Sequence, residues 1–264
     1  AAAESAPSRL PIPRPMTTTL VTGASSGIGA ALAHRFAAEG HALVLVARRE
    51  DRLRALAAEV TRQHGVKAHV VAMDVTEPGA PARLLASCRR RKLDVDILVN
   101  NAGVLDQGPF ADMTVNDHLA MIDLNVRALT ALIALFLPGM RERGSGRILN
   151  VASIASFQPV PHLATYAATK AYVLSLTESL AEELRDSGVT ITALCPGITA
   201  TEMLSGAADA NPVLSKLPRA VVGDAADVAD QGVRGCLRGD VIVVPGAMNL
   251  AATLAARATP KWLL

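Results

Sequence analysis

At 264 residues, half of them apolar, the chain is long enough to bury a large core, as one large domain or two small ones. Its 26 basic and 24 acidic residues leave a formal net charge of +2, which gives no sustained field to gather nucleic acid or an anionic lipid surface. Cys88, Cys195 and Cys236 are odd in number, far apart and never in a CxxC pair, which argues against a disulfide framework or zinc site and for a reducing, cytoplasmic setting.

Residues 1–16 have no apolar centre flanked by basic residues and read as a flexible leader, with Met16 where a chain start would fall. A β-rich run at 18–22 then passes into a helical pattern at 27–39 through TGASSGIG, residues 22–29. A strand that turns directly into a helix leaves free N–H groups at the positive end of the helix dipole. Gly23, Gly27 and Gly29 would let a phosphate come close to that backbone. Their spacing is G-x-x-x-G-x-G, a variant of the dinucleotide fingerprint.

The next strand, near 42–47, runs into Arg48 and Arg49, where a dinucleotide fold usually places an acid for the ribose hydroxyls. An acid repels a 2′-phosphate, whereas guanidinium groups bind one through charge-assisted hydrogen bonds. Two cations at a helix start are unfavourable without an anion, so the expected cofactor is NADP(H).

A helix near 50–64 leads to a strand near 67–73 and then Asp74, which by itself reads as a helix cap. A helix near 77–91 and a strand near 95–100 follow, the latter ending in NNAG, residues 100–103. A long helical pattern covers 114–142; its stretch 129–140 is apolar all round but too short to cross a bilayer, and is expected in the core or between subunits. A strand near 147–152 stops just before Ser153, and a helix near 164–187 carries Tyr166 and Lys170 four residues apart, on one face. After a strand near 189–195 comes the longest irregular stretch, 197–222, of a length typical of functional lids. A helix near 224–238, a strand near 240–244 and a helix-forming tail at 249–264 complete the chain.

This alternation predicts an α/β fold: one domain over 17–248, built on a seven-stranded, doubly wound parallel sheet with helices on both faces, with a substrate loop at 198–220. Loops 104–110 and 154–163 should complete the pocket with that loop. Their Val104, Leu105, Phe110, Ile154, Phe157 and Val160, with Met203 and Leu204, suggest an apolar carbonyl substrate. The spacing of histidines with carboxylates offers no metal site.

These residues together resemble the short, single-domain branch of the short-chain dehydrogenase/reductase family, over 17 to about 245. The resemblance implies a Rossmann fold in which TGASSGIG, including Ser25, Ser26 and Ile28, is the cofactor loop. It implies that Asp74 and Val75 meet the adenine, and that Asn101, Ala102 and Gly103 steady the central strand beside the cofactor. Pro196, Gly197, Thr199 and Thr201 of PGITAT would hold the nicotinamide carboxamide. Ser153, Tyr166 and Lys170 match the family's serine and YxxxK pair, and Asn125 its helix asparagine, which would hold a water linking Lys170 to solvent. Tyr166 would carry the proton while hydride passes between nicotinamide and a carbonyl or secondary alcohol carbon. A tyrosine of pKa about 10 needs roughly 4 kcal/mol to ionise near neutrality, and an ammonium at ~4.5 Å supplies about that much at an effective dielectric near 20. A silent NADPH-binding scaffold and a nonredox lyase or epimerase are the other readings of the same fold. The small face of Ala164, Ala167, Ala168 and Ala171 suits helix pairing in a homodimer or homotetramer.

Overall fold

In the computed structural model, which describes residues 17–202 and 222–258, seven parallel strands form one sheet in the order β3-β2-β1-β4-β5-β6-β7. The strands are β1 (Thr18–Thr22), β2 (Ala42–Ala47), β3 (Ala68–Ala72), β4 (Ile97–Asn100), β5 (Gly146–Val151), β6 (Val189–Leu194) and β7 (Ile242–Val243). The leader, Met203, Leu204, the rest of the loop to 221 and the end of the tail lie outside the described residues. The helices are α1 (Gly27–Ala38), α2 (Glu50–His64), α3 (Ala80–Arg90), α4 (Val115–Ile122), α5 (Leu129–Glu142), α6 (Ala164–Glu183), α7 (Ala225–Arg238) and α8 (Ala247–Ala258).

Side chains alternate across each strand, so both faces of a central strand must be covered. Leu20, Val44, Val46, Leu98 and Ile148 turn to one face and meet Leu84 of α3, Leu132 and Phe136 of α5 and Val173 of α6. Val21, Leu43, Leu45, Val99 and Leu149 turn to the other, against Leu32 and Phe36 of α1, Leu53 of α2 and Val228 and Val233 of α7. The strand order reverses between β1 and β4, and an open α/β sheet binds its ligand beyond the carboxyl ends of the strands at such a point.

Three elements depart from expectation. The helix after β3 starts only at Ala80, because Gly79 is left-handed at φ 73° and Pro81 suits a first turn. The edge strand β7 keeps only two residues. The helix over 114–142 is broken by a wide π turn at Asp123–Ala128 between α4 and α5.

The continuous run Val115–Glu142 is long and apolar enough, by length and composition, to cross a membrane. In the fold its α5 half packs into the core, with Leu129, Leu132, Ile133, Phe136 and Met140 buried, and Asp123 pairs with Arg127 in mid-run at 2.9 Å.

Candidate active site

The turn from β1 into α1 is held by β4. Thr22 Oγ1 donates to the Val99 carbonyl at 3.1 Å and accepts from the Asn101 and Ala102 N–H groups at 3.0 and 3.1 Å. Asn101 Nδ2 donates to the carbonyls of Thr22 and Gly23, at 2.9 and 3.2 Å. NNAG therefore clamps the glycine-rich turn. Gly23 sits at φ 65°, where a Cβ would lie 2.7 Å from Asn101 Nδ2 and 2.8 Å from Ala102 Cα. A Cβ on Gly29 would overlap the Gly23 carbonyl oxygen and the Asn101 amide. The turn is thus packed as closely as backbone allows while the first N–H groups of α1 stay uncapped by the Ser26 side chain.

Beyond β2 the two arginines part. Arg49 Nε and Nη2 donate to Ser25 Oγ at 3.2 and 3.0 Å, and Nη2 also to Ser26 Oγ at 2.7 Å. Its Nη1 donates to Glu202 Oε2 at 2.9 Å, and Arg52, three residues along α2, pairs with Glu202 Oε1. Arg48 is 80% exposed, with Nη1 3.8 Å from Asp74 Oδ2. Arg52 and Glu202 escaped the sequence reading; the i, i+3 spacing of Arg49 and Arg52 was the available signal.

Asp74 serves first as a local cap: its Oδ1 accepts from Thr76 N–H and Oγ1 at 2.9 and 2.7 Å. Burial works the other way, but the Thr76 donors and Arg48 hold its carboxyl below the usual range. The Val75 side chain is buried in the core.

At the carboxyl ends of β4, β5 and β6 the remaining residues gather. Tyr166 and Lys170 are both buried on α6. Lys170 Nζ donates to the Val151 carbonyl at 2.8 Å and lies 5.8 Å from the Tyr166 ring centre. Gly103 provides the room, since a Cβ there would stand 3.2 Å from Asn125 Oδ1 and 3.4 Å from Lys170 Nζ. Ser153, whose Oγ caps Ala155 N–H at 3.1 Å, faces the Tyr166 hydroxyl.

Burial dominates the electrostatics. It pushes the Tyr166 phenol above its ordinary value, and the Ser153 hydroxyl opposes this only in part. It pushes the Lys170 ammonium down to about 8. Burial thus works against the expected phenolate, and the Lys170 ammonium is turned toward the Val151 carbonyl.

Asn125 is placed by the π turn, which sets its phase on the helix. Its Nδ2 donates to the Val104 carbonyl at 2.9 Å and to Thr169 Oγ1 at 3.1 Å, and its Oδ1 accepts from Val104 N–H at 2.9 Å. Both amide protons are thereby engaged, which leaves one Oδ1 lone pair for a water toward Lys170. Its evident work is to pin the strand end and α6 together.

Thr199 Oγ1 donates to the Gly197 carbonyl at 3.0 Å, and the Thr201 methyl would lie 3.1 Å from a Cβ on Gly27, so PGITAT runs back to the start of α1. Asn249 of α8 lies directly under Gly197, and α8 also packs on the short turn Ile154–Phe157. Of the expected pocket residues, Val104, Leu105 and Val160 collect around Tyr166 with Met113 and Leu163. Phe157 packs into the main core instead, and Phe110 stacks on His118 with ring centres 4.2 Å apart.

A glycine-lined strand-to-helix turn, an arginine at the next strand end and a buried serine, tyrosine and lysine beside them fit a nicotinamide dinucleotide and define a Rossmann-fold oxidoreductase. The chain belongs to the short chain dehydrogenase family, whose sequence profile matches residues 17–212. A short-chain dehydrogenase from Sphingobium yanoikuyae, solved in complex with NADPH, is 38% identical with a TM-score of 0.81, covering 92% of this chain and 94% of that one. The bulky-bulky ketone specific alcohol dehydrogenase from Comamonas testosteroni is 32% identical with a TM-score of 0.78, covering 92% of each chain. Among curated relatives, serine 3-dehydrogenase of Rhizobium radiobacter is 37% identical over 186 residues, 70% of this chain and 73% of its own length.

Proposed function

We propose that the protein is an NADP(H)-dependent reductase of apolar ketones, with Tyr166, Ser153, Lys170 and Asn125 as its reaction machinery. The observation that carries this reading is the buried Tyr166, with Ser153 facing its hydroxyl, at the strand ends beside the glycine-rich turn. The bound cofactor supplies or accepts the hydride. A phenol kept neutral by burial holds its proton, which suits donation to the oxygen of a carbonyl under reduction. Ser153 holds the same oxygen by hydrogen bond, and Lys170 steadies the tyrosine side of the pocket from its seat on Val151. Asn125 keeps Val104 and Thr169 in place around the pair.

Arg49, with Ser25 and Ser26 along its guanidinium, supports binding of a 2′-phosphate, as does the NADPH complex of the Sphingobium relative. The apolar substrate class is supported by Val104, Leu105, Val160, Met113 and Leu163 around Tyr166, and by the ketone named for the Comamonas enzyme. Cys88, Cys195 and Cys236 are buried thiols, which suits the cytoplasm.

We also propose a homodimer or homotetramer formed through α4 and α6. Val115, Leu119 and Ile122 on α4 and Tyr172 on α6 are exposed, next to a shallow apolar depression floored by Ala164 and Ala168. Ala167 turns inward toward Tyr166 and takes no part in that face.

The test is NADPH oxidation followed by absorbance with a panel of bulky ketones and polar sugars, for wild type and Tyr166→Phe. Wild type should turn over the ketones, and Tyr166→Phe should lose at least about a hundredfold in kcat while still binding NADPH. Undiminished turnover in Tyr166→Phe refutes the assignment of the proton donor, and equal turnover of sugars and ketones refutes the apolar substrate.

A further inference from the structure

Three parts of the chain that are distant in sequence meet at one charged point. Arg49 comes from the residue that leads into α2 and Arg52 from the first turn of that helix, Ser25 and Ser26 from the β1–α1 turn, and Glu202 from the segment that follows β6. The Glu202 carboxylate offers one oxygen to each guanidinium, Oε2 to Arg49 at 2.9 Å and Oε1 to Arg52. Its neighbour Thr201 packs against Gly27 at the start of α1, so Glu202 is carried to this point by a segment seated on the glycine-rich turn itself.

The chemistry of this seat is that of a phosphate site: two forked cations meet the two oxygens of one anion, and the hydroxyls of Ser25 and Ser26 hold the Arg49 guanidinium from its other side. We propose that Glu202 is a specificity-determining residue, a resident anion that holds the arginine pair and that a cofactor 2′-phosphate must displace. The proposal rests on the reading of Arg49 as part of the 2′-phosphate site. A 2′-phosphate brings between one and two negative charges, enough to match the two guanidinium groups without help from Glu202. With the carboxylate still in place the phosphate would meet a like charge at close range and compete with it for the Arg49 and Arg52 donors, which disfavours holding both anions. A nucleotide without the 2′-phosphate leaves the carboxylate where it is. Glu202 therefore weakens the binding of the phosphorylated cofactor selectively and narrows the preference for NADP(H) over NAD(H). Both arginines are about two-fifths exposed and Glu202 about half, so a soluble nucleotide can reach the pair.

The test uses the full chain and two probes that differ only in the phosphate, 2′,5′-ADP and 5′-AMP, titrated by calorimetry into wild type and Glu202→Gln. Glu202→Gln keeps the side-chain volume and removes the charge. The expected result is tighter binding of 2′,5′-ADP to the variant by about fivefold or more, with 5′-AMP unchanged within about twofold. If wild type prefers 2′,5′-ADP and Glu202→Gln leaves both affinities as they were, the role of Glu202 is overturned while the phosphate site stands. If both proteins bind the two nucleotides equally, the phosphate site and the role of Glu202 fall together.

Discussion

Replacing Lys170 by methionine separates the electrostatics of the site from its chemistry. Lys170 lies wholly inside the protein, and burial lowers its ammonium from the ordinary 10.5 to about 8. Below pH 8 the folded protein therefore holds a charge that the unfolded chain holds more comfortably. As pH rises between these two values the unfolded state binds more protons than the native state, so this residue's destabilising effect is relieved by alkali. The binding polynomials for the two values give a penalty of roughly 3 kcal/mol at pH 7 that falls to roughly 2 kcal/mol at pH 9. Wild type should thus gain roughly 1 kcal/mol relative to Lys170→Met across that interval. Loss of the hydrogen bond to Val151 shifts the variant's stability by an amount independent of pH, so it does not alter the comparison. Cys88 and Cys236, whose thiols burial raises, the latter to about 12, titrate alike in both proteins and cancel. Urea unfolding at pH 7, 8 and 9, with m-values compared to confirm the same transition, measures the difference. Parallel stability profiles for the two proteins would show that Lys170 is not a buried cation and would remove the desolvation argument for this site.

Two further substitutions probe packing. Gly29→Ala would ordinarily stabilise a helix by about 0.5–1 kcal/mol, but here the new methyl meets the Gly23 carbonyl and the Asn101 amide. A net loss of about 1–3 kcal/mol is expected, together with loss of NADPH binding, read by urea unfolding and nucleotide titration; a variant of unchanged stability that still binds NADPH contradicts the packing of the turn. Ala168→Glu places a charge in the proposed pairing face and should yield a monomer in analytical ultracentrifugation, whereas an unchanged sedimentation coefficient would exclude this face as the contact.

The strands β1 to β6 were readable because a parallel strand covered on both sides needs an uninterrupted apolar run, and HALVLVA and RILNVA supply one. The phase break at 123–128 was not, because hydrophobic spacing on either side of it follows the same α-helical period. Tyr166 and Lys170 were readable as neighbours from their spacing, but the depth at which they sit was not, and depth decides the sign of the phenol's shift. The partnership of Arg52 with Glu202 spans 150 positions, a separation across which no local pattern reaches. Ala167 looks equivalent to Ala164 and Ala168 in the sequence; only the docking of α6 turns it toward Tyr166.

The wide turn at Asp123–Ala128 makes the rod from Val115 to Glu142 one residue longer than regular winding over the same distance would need. Excising one of those residues would restore even winding and rotate one half against the other by about 100°. Either Leu132 and Phe136 would swing out of the interior or Asn125 would lose Val104. The rod thus joins two registers that no uniform helix can satisfy at once, and the turn is the splice that lets a single span fill the hydrophobic interior with α5 while Asn125 holds Val104 and Thr169.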